Sequence, residues 1–265
     1  VTTAQYSTFV GAFAGSNVTT GDYNTAIGRY ALLSNQTGQY NTVVGANAGD
    51  ALTTGNYNVA IGYSALSSED EHGSNVAIGR QALENQNAGA EAYNVAIGSL
   101  AGNDITTGIY NTIVGGLAGD ALTNANYNTA VGYAALSTDI LGSRSTAIGY
   151  GALNNQNFTT ATNADNVAVG YNASTALTTG RYNVTIGNFS GDAQTTAAYN
   201  VAIGHGALST DVAGNASTAV GYEALQNQTF ATSTTAANVG IGYHAGNDIT
   251  SGTRNSIVGT FAGDE

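Results

Sequence analysis

Tyr57-Asn58-Val59-Ala60-Ile61-Gly62-Tyr63-Ser64-Ala65-Leu66 is the stretch that decides the fold. Val59 and Ile61 are β-branched and two residues apart, the spacing of one face of a strand. Gly62 ends that strand. In both directions from here the pattern returns, always on a glycine: Gly11, Gly28, Gly45, Gly62, Gly79, Gly98, Gly115, Gly132, Gly149, Gly170, Gly187, Gly204, Gly221, Gly242 and Gly259. Eleven of the 14 spacings are 17 residues, one is 19 and two are 21. Repetition at a period near 20 residues is the signature of a solenoid. The expected fold is all-β: one parallel β-solenoid domain spanning residues 1–265, with fifteen rungs of about 17 residues and two or three short strands per rung. At ~4.8 Å per stacked strand, fifteen rungs predict a rod roughly 70 Å long.

A second period lies above the first. The long spacings follow Gly79, Gly149 and Gly221, so every fourth rung carries an enlarged loop. Ala-Leu-x-Asn-Gln marks these rungs (Leu83, Leu153, Leu225). Ala-Leu-Ser marks another class (Leu66, Leu136, Leu208), and Ala-Gly-Asp or a close variant a third (Asp50, Asp120, Asp192, Asp264). Duplication of a four-rung cassette accounts for the arrangement.

Within one rung, Ile or Val precedes every glycine, and Thr or Val stands two residues earlier in all rungs but that of Ser256. This stripe is expected to face the core through Ile27, Ile61, Ile78, Ile97, Ile148, Ile186, Ile203 and Ile241. Ala26, Ala60 and Ala77, with the Asn before each strand, are then expected on the opposite face. Gly28, Gly45, Gly62, Gly79, Gly98, Gly115, Gly132 and Gly149 are expected at turns that need positive φ or close backbone approach. Leu32, Leu66 and Leu136, four residues past the glycine, are expected to plug the core. Thr-Thr-Gly segments such as Thr53 to Gly55 read as turns. Asn precedes the strand in 12 of 15 rungs and Tyr stands one residue before that position in nine, predicting an Asn ladder and a Tyr column along the axis.

The composition fits a repeat locked by stacking. There are 36 glycines, no Pro, Cys, Met, Trp or Lys, and only 8% charged residues. A net charge of −12 with five arginines offers no footprint for nucleic acid. No apolar run reaches the ~18 residues of a membrane-spanning helix, so no membrane insertion is expected.

The decapeptide at 57–66 resembles the head repeats of trimeric autotransporter adhesins, and also the Asn-Thr-Ala-Ile-Gly repeats of phage tail fibres. The resemblance covers the whole chain. It implies a left-handed β-roll, packing of three chains into a homotrimer, and an extracellular place on a cell or virion surface, with a host receptor or glycan as partner. The adhesin repeats are typically shorter than 17 residues, and no neck, stalk, anchor or chaperone segment is visible in this sequence.

The ends keep the period. Six residues follow Gly259 and Gly11 is the eleventh residue, so a second copy would continue the 17-residue register. Head-to-tail stacking into a filament is the alternative reading that follows.

Catalysis needs convergent titratable groups. The densest acidic stretch, Glu69-Asp70-Glu71 with His72, reads as a solvated turn, and its counterparts Asp139 and Asp211 carry no His. Asp50, Asp120, Asp192 and Asp264 read as turn caps, and His205 and His244 share no partner pattern. The chain is therefore expected not to be an enzyme and to hold no metal or cofactor. The long loops Asn154 to Asp165 and Asn227 to Ala237 are the expected binding surface, each presenting an aromatic, Phe158 or Phe230. The alternative is that these rings fold back onto the roll or into a contact between chains.

Overall fold

A computed structural model describes residues 3–264 of the chain. The chain is an all-β parallel solenoid of about fifteen rungs, roughly 17 residues apart, with no helix among the described residues. It divides into two compact units, Val1–Asn128 and Thr129–Glu265. In the first, the strands Thr8–Val10, Thr25–Ile27, Thr42–Val44, Val59–Ile61, Val76–Ile78, Val95–Ile97 and Thr112–Val114 pair in parallel in that order. In the second, Thr129–Val131, Thr146–Ile148, Val167–Val169, Val184–Ile186, Val201–Ile203, Thr218–Val220, Val239–Ile241 and Ser256–Val258 do the same. The register sets like on like: Thr25 faces Thr42, Ala26 faces Val43 and Ile27 faces Val44.

The two faces of these strands are the reverse of the sequence expectation. Ala26, Ala60, Ala77, Ala96, Ala147, Ala168, Ala202 and Ala219 are fully buried. Ile27, Ile97, Ile148, Ile186 and Ile241 are exposed, at 38–40%. Ile61, Ile78 and Ile203 are only partly covered. The eight isoleucines therefore form an outer stripe, and the core stripe is alanine.

The reason is volume. A 17-residue rung encloses little space, and the residue four past the glycine already reaches across it. Leu32, Leu66, Leu83, Leu136, Leu153, Leu208 and Leu225 hold that position and are buried. Each shares its rung with an inward Ala (Ala26, Ala60, Ala77, Ala130, Ala147, Ala202, Ala219). Where the inward strand residue is larger, as at Phe9, Val43, Ile113 and Ile257, the facing position is glycine instead: Gly15, Gly49, Gly119 and Gly263. A Cβ on Gly15 would come within 2.4 Å of the Phe9 ring, and one on Gly119 within 3.1 Å of Ile113 Cδ1. One large side chain per rung satisfies close packing, and two overfill it.

The strand-ending glycines take the expected conformation. Gly28, Gly45, Gly62, Gly79, Gly98, Gly115, Gly132 and Gly149 have φ between +133° and +140°. Other residues also turn left-handed, as Tyr57 (φ 59), Ser64 (φ 50) and Leu66 (φ 52) do within one rung. For a non-glycine residue that costs about 1–2 kcal/mol. Neighbouring rungs hold these turns in place. Tyr57 N–H donates to Gln39 O at 3.1 Å, Ser64 N–H to Ala46 O at 3.0 Å and Leu66 N–H to Ala82 O at 3.0 Å. The coil of a rung is thus set by stacking rather than by local propensity.

The Asn ladder exists and lies inside. Asn24, Asn41, Asn58, Asn75, Asn94 and Asn111 are buried. Asn58 N–H donates to Asn41 Oδ1 at 2.9 Å, and Asn75 N–H to Asn58 Oδ1 at 3.1 Å. Each amide also ties its rung to a turn, as when Asn41 Nδ2 donates to Gly55 O at 2.8 Å.

Candidate functional site

The enlarged loops expose Thr159, Thr160 and Ala161, and Ala231, Thr232 and Ser233, but fold their aromatic residues inward. Phe158 and Phe230 are buried, at 6% and 9% exposure, so neither is the exposed recognition aromatic expected from the sequence. Their backbones are held by the preceding rung. Phe158 N–H donates to Asp139 Oδ1 at 2.9 Å, and Phe158 O accepts from Leu141 N–H at 2.9 Å. Phe230 N–H donates to Asp211 Oδ1 at 3.2 Å, and Phe230 O accepts from Ala213 N–H at 2.9 Å. Beyond each Phe the loop adds a short parallel ladder, Thr162–Asn163 on Gly142–Ser143 and Thr234–Thr235 on Gly214–Asn215. Burying a ring of this size is favourable wherever the backbone permits it.

The carboxylates that hold the loops are the second departure. Glu69, Asp139 and Asp211 are fully buried, not solvated. Each heads a polar relay through the core. Asp139 Oδ2 accepts from Gln156 Nε2 at 2.6 Å, and Asn166 Nδ2 donates to Gln156 Oε1 at 2.8 Å. Asp211, Gln228 and Asn238 repeat this at 2.7 Å for both contacts. Glu69, Gln86 and Asn94 do so at 3.4 and 3.0 Å. The clue in the sequence was the acidic residue 17 positions before each Gln of the Ala-Leu-x-Asn-Gln class.

Desolvation is the main cause that pushes the carboxyls of Glu69, Asp139 and Asp211 above their ordinary values of 4.5, 3.8 and 3.8. It does the same, less deeply buried, to Asp50, Asp120 and Asp192. Hydrogen bonds to the ionised form oppose the shift in every case. A carboxyl whose folded value is raised binds more protons when folded than when unfolded. Its contribution is therefore fully present below the unfolded value and is lost as pH rises through the folded one. The melting midpoint is expected to climb as pH is lowered from neutrality toward the ordinary carboxylate range, with a smaller climb in Asp211→Asn. Circular dichroism melts across that window test this, and a midpoint that falls on mild acidification contradicts it.

The outer surface carries two aromatic columns. Tyr6, Tyr23, Tyr40 and Tyr57 stack at 5.0, 4.9 and 5.1 Å between ring centroids, and Tyr93, Tyr110 and Tyr127 at 5.6 and 5.3 Å. In the second unit Tyr133, Tyr150 and Tyr171 stack at 5.6 and 5.2 Å, and His205 lies flat on Tyr222 at 5.3 Å. The Ile/Val stripe runs along the strands, with Tyr two residues before the strand and Tyr63, Tyr133 or Tyr150 just after the glycine. Beside Tyr40 and Tyr57 an open groove of about 590 Å³ is lined by Thr37, Gln39, Thr54, Asn56 and Glu71. No strand residue lines it, so it lies on the turn side of the Tyr column.

His72 lies 3.7 Å from Glu69, and His244 lies 3.4 Å from Glu223. Among the described residues no group of three His, Cys, Asp or Glu side chains is placed to hold a metal ion. No protein-family profile, curated protein or solved structure matches the chain.

Proposed function

We propose that the chain is a non-enzymatic shaft segment of a surface fibre, carried outside the cell on a cell or virion surface, whose copies associate side by side. The observation that carries this reading is the exposed Ile/Val stripe. Ile27 and Ile97 in one unit, and Ile148, Ile186 and Ile241 in the other, stand among exposed tyrosines with no charged residue in any of the strands. Contiguous apolar surface of this kind marks an interaction site. A second copy is the occupant that fits, because it carries the same stripe at the same axial spacing. Three copies meeting on this face match the homotrimer implied by the resemblance to adhesin heads and tail-fibre repeats. Such a bundle resists load through its continuous parallel ladders, and the adhesive surface is what the bundle leaves outside.

Analytical ultracentrifugation tests the reading. The wild-type chain is expected to sediment as a trimer. The double variant Ile97→Asp/Ile186→Asp is expected to sediment as a monomer with its far-ultraviolet spectrum intact, since both positions are on the outer face. A wild-type chain that stays monomeric at high concentration overturns the proposal. Long filaments in electron micrographs of the same sample assign association to the solenoid ends instead.

A further inference from the structure

We infer that the break in the first tyrosine column, between Tyr57 and Tyr93, is a binding slot for one pyranose residue of a neutral glycan. The inference supplies a ligand class for the adhesive part of the proposed function, and rests on that reading only for its setting. The slot lies within one unit, and at Tyr57 it adjoins the groove on the turn side of the column.

Ser74 occupies the column position between the two rings. The pairing of Val59 with Val76 and of Val76 with Val95 places Tyr57, Ser74 and Tyr93 in line. Their backbones share one conformation, with φ of 59°, 62° and 52°. Two rung spacings separate the rings by roughly 10 Å. Within the column, adjacent rings lie 4.9–5.6 Å apart, so the break is the height of one missing ring. Tyr57 is 63% exposed and Tyr93 51%, against 44–46% for Tyr23, Tyr40 and Tyr110, which have a ring on both sides. The faces bordering the break are open.

The groove that adjoins the break at Tyr57 has the polar groups a sugar needs. Glu71, in the rung of Ser74, is exposed and lines the groove with Thr54 and Asn56. Asn56 Oδ1 is committed to Gln39 N–H at 2.7 Å, so its amide offers the groove its NH₂. A carboxylate accepts from two adjacent hydroxyls, and an amide N–H donates to another. The electron-rich tyrosine faces suit the weakly positive C–H faces of a pyranose. No Lys or Arg lines the groove, and Glu71 repels anions, which argues against nucleotides and acidic sugars. Apart from Tyr40 and Tyr57 the lining of this adjoining groove is polar, which favours a sugar over an aromatic side chain of a protein partner.

Native affinity electrophoresis tests the slot, with laminarin, hydroxyethylcellulose and yeast mannan as neutral probes and alginate as an anionic one. The wild-type chain is expected to be retarded by at least one neutral probe and not by alginate. The informative variant is Ser74→Tyr, which restores the residue found here in nine other rungs and so fills the slot without breaking the fold. It is expected to weaken retardation at least about tenfold, as loss of a stacking contact implies, with an unchanged melting midpoint. Glu71→Gln is expected to weaken it several-fold. Running Ile97→Asp/Ile186→Asp alongside separates this test from self-association. Lack of retardation by every neutral probe, or equal retardation of Ser74→Tyr and wild type, overturns the inference.

Discussion

Gly62→Ala is expected to destabilise the chain by at least about 3 kcal/mol, since it combines backbone strain with a clash that cannot relax. Gly62 has φ +140°, a region that residues with a Cβ rarely enter. A Cβ built there lies 2.3 Å from Gly79 O and 2.6 Å from Gly79 C. Both atoms are backbone, and the next rung is fixed against this one by the bond from Gly79 N–H to Ile61 O at 2.7 Å. No rotamer change relieves the contact, so the two rungs must separate locally. Gly89→Ala is the matched control, because a Cβ at Gly89 meets nothing within 4 Å. Its effect is expected to stay within about 0.5 kcal/mol. Denaturant midpoints of the two variants against wild type decide the matter. A wild-type midpoint for Gly62→Ala would show that the glycine column is dispensable.

Asp211→Ala is expected to cost about 3–5 kcal/mol by stranding buried donors. The carboxylate accepts from Gly214 N–H at 3.1 Å, Phe230 N–H at 3.2 Å and Gln228 Nε2 at 2.7 Å. Removing it leaves all three without that acceptor in a region closed to water, and each unsatisfied donor costs about 1–3 kcal/mol. The consequence is local as well as global. The loop Asn227 to Ala237 loses the bond that fixes Phe230, so limited proteolysis is expected to cut there first. Asp211→Asn keeps one oxygen acceptor and the shape, and is expected to lose much less. A loop in Asp211→Ala as protease-resistant as in wild type would show that Phe230 packing alone holds it.

These two sites differ in how far the sequence announces them. The glycine column is plain in the repeat, because each rung stacks on its own copy and the requirement at one glycine is the requirement at all. Asp211 is hidden by its neighbourhood in the chain. An acidic residue in a Thr- and Gly-rich stretch reads as a surface turn, and only the stacking of Gln228 one rung later shows that it faces inward. The same holds for Glu69, although its flanking Asp70 and Glu71 make the exposed reading stronger.

Periodicity by itself determined the rung length, the parallel register, the turn glycines, the Asn ladder and the Tyr column. In a stacked solenoid the neighbour of every residue is its own repeat, so spacing translates directly into contact. Alternation at period two separates the strand into two faces but is symmetric between them, and hydrophobicity then favours the wrong one. The pairing of Ala26 with Leu32 against Val43 with Gly49 breaks that symmetry, because it trades volume within one closed space. Only the tertiary structure decided the remainder: that the isoleucines lie outside, that Phe158 and Phe230 fold in, and that Ser74 leaves a gap between two rings. Each depends on how much room one rung encloses and on what lies a rung away, which are properties of the stack and not of any local stretch of chain.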